Sequence, residues 1–222
     1  MNKKNILPIE PLLRLLLRFE GGIQSDRYFS LEEAFEAGRA RAFSNDPDDR
    51  GGATFCGVTL ATYRRYLADY YGRPDAARAT PYQLRQLSFF DWENIIRRYY
   101  WSPLQCDKMR WPCVALCVAD YGFNSGIDRA AHALQEALNE IASHTGLPYR
   151  PLATDGVVGP CTIDAIRQWL TTRTRANLVA EFVCDQRWAF VEQAVGRGAI
   201  HRKYYNGLKR RIEQLRYVAL RQ

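Results

Sequence analysis

Glu20 stands at the end of an apolar run, Leu12-Leu13-Arg14-Leu15-Leu16-Leu17-Arg18-Phe19, and is followed at once by Gly21-Gly22. That pattern describes a helix with a carboxyl group on its last turn, where the negative end of the helix dipole and partial burial both disfavour ionisation. A carboxyl group so placed is expected to keep its proton and to donate it as a general acid. Further along, Asp46, Asp48 and Asp49 precede Gly51-Gly52-Ala53-Thr54. A protonated Glu facing an ionised Asp, with a hydroxyl to hold a water, is the minimum set for hydrolysing a glycosidic bond. Glycines beside such a set let the backbone approach a sugar chain closely. Taken singly, each feature has a plainer reading: an exposed Glu at a helix end, and a turn rich in Asp and Gly. The acidic loop lacks EF-hand spacing, so metal binding is set aside. His132, His144 and His201 are scattered and show neither nucleophile nor metal spacing.

The elements that must position these groups are mostly helical. The first helix follows Pro8 or Pro11, presents Leu12, Leu13, Leu15, Leu16 and Phe19, and stops at Gly21-Gly22. A charged segment over 30–42 has Ser30 as N-cap and Glu33 in the capping-box position. A loop dense in turn residues runs from Ser44 to Gly52. Helical patterns then recur over 60–70, 81–100 behind the cap Thr80, 112–123, 129–143, 161–170 and 175–195. Alternating patterns are scarce, so any sheet is expected to be a short hairpin near 51–59. The fold class predicted is mainly α.

Composition sets the outer bounds. The chain has 222 residues, of which 47% are hydrophobic and 13% aromatic, enough for a large core and too many for a disordered chain. The apolar run from Ile6 to Phe19 is interrupted by Glu10, Arg14 and Arg18, so it fits neither a membrane span nor a signal peptide. The formal charge is +7. From Arg197 onward there are eight basic residues and one acid, Glu213, so the tail holds the whole excess. Such a tail suits an anionic polymer (nucleic acid, cell wall or membrane surface) or is simply a solvated helix face. No recognition motif accompanies the charge, so nucleic acid is not the expected partner. Six cysteines, at 56, 106, 113, 117, 161 and 184, include no C-x-x-C pair and are expected to be buried, reduced thiols.

Four segments, in order, resemble the family-108 glycoside hydrolases: Phe19-Glu20-Gly21-Gly22, Asp46 to Thr54 with Gly57-Val58-Thr59, Val118 to Gly126, and Leu134 to Asn139 with Asp155 to Thr162. Members of that family are lysozyme-like N-acetylmuramidases, cleaving the β-1,4 link between N-acetylmuramic acid and N-acetylglucosamine in peptidoglycan. The last of these segments is similar to the predicted peptidoglycan-binding domain that follows the family's catalytic part. The resemblance implies a lysozyme-like helical catalytic part over 1–125 with a short β-hairpin, then a small helical peptidoglycan-binding part over 126–222 with the basic tail. It assigns Glu20 as general acid, matches Asp46 and Asp49 to the acidic positions before the paired glycines, with Asp49 stabilising charge or activating water, and takes Thr54 as the group positioning that water. Gly21, Gly22, Tyr121 and Asn124 would contact the glycan. No cofactor and no metal are implied.

The chain departs from the family pattern in two places. Ile23 stands where an aromatic commonly follows Glu-Gly-Gly, and about twenty extra residues, from about 24 to 43, separate the glycines from the Asp-Pro loop. A surface helix there would leave the site as expected, whereas a segment crossing the cleft would act as a lid. The extra segment also adds Asp26, Glu32, Glu33 and Glu36 as candidates for the second carboxylate. Tyr99, Tyr100, Trp101 and Trp111 could stack on sugars, although aromatics at helical spacing are more often core. The resemblance further implies a phage endolysin or secretion-associated role. The enzyme would be made in the cytoplasm without a signal peptide and act in the periplasm or at the wall after holin-type release or specialised secretion. Its partners would be peptidoglycan strands and, through the tail, an anionic wall polymer, with no membrane insertion. The alternative is a non-catalytic cell-wall or nucleic-acid binding protein that relies on the tail, with Arg210 and Arg211 supplying affinity.

Overall fold

The computed structural model describes residues 7–45, 52–144 and 150–221. Among them are ten α-helices and one small antiparallel sheet of three strands, so the fold is mainly α as expected. By contacts the chain divides into two compact units, one over Glu10–Tyr99 and one from Tyr100 onward that includes the described residues 7–9.

The first unit opens with α1 (Glu10–Glu20), which buries Leu12, Leu13, Leu15, Leu16 and Leu17 and exposes Arg14 and Arg18. It ends because Gly22 adopts φ +65°, a backbone region open to glycine, while the amides of Gly21 and Ile23 both donate to the Leu17 carbonyl. Next comes α2 (Leu31–Gly38), shorter than the expected 30–42. Ser30 caps it by accepting from the Glu33 amide, and the Glu33 carboxylate in turn accepts from the Phe29 amide. This helix is part of the core of its unit rather than a separate surface addition. It buries Ala34, Phe35 and Gly38, and the Phe35 ring packs against Phe55, Phe89 and Trp92 with centroids 5.3–5.7 Å apart.

The sheet consists of β1 (Phe43–Ser44), β2 (Thr54–Phe55) and β3 (Val58–Thr59), with Ser44 opposite Thr54 and Phe55 opposite Val58. Cys56 and Gly57 form the two-residue turn between β2 and β3, both at positive φ (47° and 77°), as the turn type that matches strand twist requires. Thr59 then caps α3 (Leu60–Tyr71). Where one helix over 81–100 is expected, there are two, α4 (Pro81–Arg85) and α5 (Phe89–Ile96), continued by a π-turn at Arg97–Trp101. The break arises because Leu87 is drawn into the core and Ser88 offers its hydroxyl to the Asp91 amide, starting a fresh helix.

The second unit is built around α6 (Pro112–Ser125), which is buried continuously from Cys113 to Gly122. It packs against α7 (Ile127–His144), α9 (Arg173–Gly196) and α10 (Tyr205–Ala219), while α8 (Pro160–Trp169) lies on α7. A stretch surrounded on all sides is apolar on all sides, and from Cys113 to Gly122 the one charged residue is Asp120. By contacts, α6 therefore groups with the helices that follow it rather than with the residues before 100. The basic tail is helical, and α10 turns Arg211, Ile212, Leu215 and Ala219 inward.

Candidate active site

Glu20 is the last residue of α1 and is half-buried. Cys56 in the hairpin turn lies close enough to respond to it: burial pushes the Cys56 thiol far up, and Glu20, when ionised, pushes it further. The same approach is visible at Gly21, where an added Cβ would lie 3.6 Å from Cys56 Sγ and only 2.8 Å from the Leu17 carbonyl oxygen. Gly21 is thus required by close packing and Gly22 by its positive φ. The turn is itself anchored, because the Trp92 indole donates to the Cys56 carbonyl at 3.0 Å and the Cys56 amide donates to Ala42 at 2.8 Å. Helix end and hairpin turn therefore form one fixed wall, with a carboxyl group on it.

Thr54 is half-buried on β2, opposite Ser44 on one side and Thr59 on the other. Asp46 and Asp49, like Asp48, lie outside the described residues. The chain leaves toward them after the β1 residue Ser44 and returns just before its partner Thr54, so both ends of the acidic segment are held by one strand pair. The four added carboxylates are exposed, and two of them have structural work. Glu33 closes the cap of α2, and Glu36 forms a two-point ion pair with Arg39 at 2.7 and 2.5 Å.

Tyr121 and Asn124 belong to the second unit. Tyr121 is only 3% exposed, and burial raises its phenol. It lines a cavity of about 370 Å³ together with Arg129, His132, Glu136 and Gln186. Asn124 is exposed, and its amide donates back to the Asp120 carbonyl. Of the aromatics singled out by spacing, Tyr99 and Trp101 are core, Tyr100 packs edge-on to Phe123, and the Trp111 indole donates to the Leu170 carbonyl. The rings open to solvent are others, including Tyr70 and Tyr71; the Tyr71 hydroxyl, with that of buried Tyr66, donates to Asp91.

The Asp155–Thr162 turn of the second unit is held by one side chain. Gln135, 2% exposed, donates to the Asp155 carboxylate at 2.7 Å and to the Val157 carbonyl at 3.1 Å, and accepts from the Gly156 amide at 3.0 Å. The Gln135 hydrogen bond first, and then one from the Val157 amide at 3.0 Å, hold the Asp155 carboxyl below its usual range. Gly156 sits at φ +73° against Asp128 and His132, with no room for a side chain. Beside this turn runs a groove of about 810 Å³ lined by Arg150, Asp155, Thr162, Asp164, Gln168 and Trp169 among others.

One charged cluster gave no sequence signal. Asp120 is fully buried and held by Arg211, at 2.7 and 3.3 Å, and by Arg187. Arg211 is therefore not available to an external polymer, and Arg216 is paired with Asp185, which removes two cations from the tail's exposed charge. Among the described residues no three His, Cys, Asp or Glu side chains gather as a metal would require. No described helix is long and apolar enough to cross a membrane.

Comparison with known proteins bears on the class. Residues 34–126 match the family model described as glycosyl hydrolase 108. The match covers the acidic segment, Thr54, Tyr121 and Asn124, and begins downstream of Glu20, Gly21 and Gly22. It includes α2 from Ala34 onward, in line with that helix's place in the core. The chain is also similar to a solved structure, that of Brucella abortus SagA, with a TM-score of 0.59 and 25% identity over 81% of this chain and 86% of the other. No curated protein matches. Together the family match and the structural likeness support a glycoside hydrolase with a lysozyme-like, mainly α fold.

Proposed function

We propose that the chain is an N-acetylmuramidase that hydrolyses the β-1,4 bond between N-acetylmuramic acid and N-acetylglucosamine in peptidoglycan. Glu20 acts as general acid, handing its proton to the departing glycosidic oxygen. Asp49, assisted by Asp46, stabilises the developing positive charge or activates the attacking water, which Thr54 positions. Gly21 and Gly22 let the glycan approach. The observation that carries this reading is the wall formed by the end of α1 and the Cys56–Gly57 turn. It holds Glu20 in the same unit as the strand pair from which the acidic segment departs. The family match over 34–126 supports the chemistry.

In this reading residues 126–222 hold the enzyme on its polymer. The clamped Asp155–Thr162 turn supports that role, and the exposed tail cations Arg202, Lys203, Lys209 and Arg210 would add attraction to an anionic wall. The enzyme would be made in the cytoplasm and reach the wall through holin-type release, as a phage endolysin, or through specialised secretion. The test is digestion of purified bacterial sacculi, with the soluble fragments analysed by mass spectrometry before and after borohydride reduction. New reducing ends on N-acetylmuramic acid are expected. Reducing ends on N-acetylglucosamine, or binding of sacculi without release of fragments, would overturn the assignment.

A further inference from the structure

Cys117 on α6 and Cys184 on α9 face each other with their sulfurs 3.6 Å apart, and each residue is 1% exposed. One turn further along both helices, Asp120 meets Arg187. Both rungs join residues 67 apart in the chain, so the two helices run parallel and in register through this stretch. The arrangement has an uneven charge. Asp120 answers two guanidiniums, and Arg187 keeps its Nε and one terminal nitrogen buried without a hydrogen-bond partner among the described residues.

We infer that Cys117 and Cys184 are an oxidisable pair that closes into a disulfide, tying α6 to α9, when the protein folds in the presence of a disulfide oxidant. Ordinary disulfide bonding brings sulfurs to about 2.05 Å, so closure has only to draw together two sulfurs that already touch at 3.6 Å. The two thiols are not equivalent. The hydrogen bond with Cys117 pulls Cys184 down against the cost of burial, with Arg216 and Arg187 adding to the effect, while Cys117 is raised. Once the α6–α9 contact is open either thiol can attack first; in one order Cys184 is the thiolate. It forms a mixed disulfide with one sulfur of the oxidant and releases the other as a thiolate. Cys117 then loses its proton and attacks Cys184 Sγ, so that the bond between the two cysteines forms and the second oxidant thiolate leaves. Two protein thiols are oxidised, one disulfide is reduced to two thiols, and the two protons pass to the released thiolates.

Both sulfurs are closed to bulk solvent, so exchange takes place while the α6–α9 contact is open, during folding or local unfolding, and the finished bridge is shielded. The same chain stays a dithiol in a reducing compartment and acquires a cross-link in an oxidising one. Of the other cysteines, Cys106 directs its thiol to the Ala115 carbonyl, Cys56 lies in the other unit, Cys161 is exposed, and Cys113, four residues before Cys117 on the same helix, makes no sulfur–sulfur hydrogen bond among the described residues.

The experiment is to unfold the full chain in reductant and refold it with either reduced or oxidised glutathione. Free thiols are then blocked and disulfides mapped by non-reducing digestion and mass spectrometry. The oxidised sample is expected to contain the Cys117–Cys184 linked peptide as its main cross-link, with circular dichroism unchanged. The transition of the oxidised protein should lie roughly 5–15 °C above that of the reduced one. The rise should vanish in Cys117→Ala and Cys184→Ala and persist in Cys161→Ala. Should an alanine variant fail to fold, the map of the unmodified chain still decides. Complete blocking of both thiols after oxidative refolding, a bridge from either residue to Cys113, or loss of the native spectrum on bridging would each overturn the inference.

Discussion

Asp120→Asn removes the one negative charge that answers two buried guanidiniums. Burial pushes the Asp120 carboxyl up, but Arg211 and Arg187, by charge and by hydrogen bond, hold it below its usual range. Losing one partner of a buried ion pair costs about 3–5 kcal/mol, because the survivor is left charged and unanswered. For a chain of this size that lowers the transition of the helical unit by roughly 6–20 °C. Arg187→Met should behave quite differently. It leaves Asp120 paired with Arg211 and removes two buried nitrogens that lack partners, so its cost is expected to stay below about 1 kcal/mol. The pH dependence follows from the sign of the shift. A carboxyl group whose folded value is depressed contributes fully above its unfolded value of about 3.9 and loses that contribution as pH falls through the folded value. The gap between wild type and Asp120→Asn should therefore be constant at neutral pH and close only below about pH 4. Differential scanning calorimetry between pH 3 and 7 measures all three quantities. Equal losses in Asp120→Asn and Arg187→Met, or a gap unchanged at pH 3, would refute the reasoning.

Two further outcomes test how the units are packed. Gly38→Ala places a methyl group where Ile23 Cδ1 now lies, and should destabilise the unit over 10–99 by about 1–3 kcal/mol. Combining it with Ile23→Val should recover most of that loss in a thermal melt. Gln135→Ala leaves the Gly156 amide and the Val157 carbonyl without their clamp, and should cost about 1–3 kcal/mol. Hydrogen exchange at residues 155–158 should quicken while α9 keeps its protection.

Much of this was legible in the sequence because the signals are local. Ser30, Thr80 and the Gly21-Gly22 pair mark helix ends through hydrogen bonds and backbone freedom that involve only the adjoining turn. The break at Gln86–Ser88 was not legible, since the periodicity continues through it and only the burial of Leu87 decides the matter. The same limit governs the site. Glu20 is conspicuous through the glycines that follow it, whereas its neighbour Cys56 lies in a hairpin far along the chain. Asp120, Arg187 and Arg211 come from three helices, and nothing near Arg211 distinguishes it from the exposed Arg210 beside it. The charged residues of α2 read as extra catalytic candidates because charge is visible in a sequence. What engages Glu33 and Glu36, a cap bond and an ion pair with Arg39, is a matter of geometry.

The central claim is that the Glu20 carboxyl group supplies the proton for glycosidic cleavage, and Glu20→Gln tests it with almost no change in shape. The rate of sacculus solubilisation by this variant, measured beside wild type at equal folded fraction, is expected to fall by a factor of about 10²–10⁴ with binding to sacculi retained. Solubilisation at the wild-type rate would contradict the account.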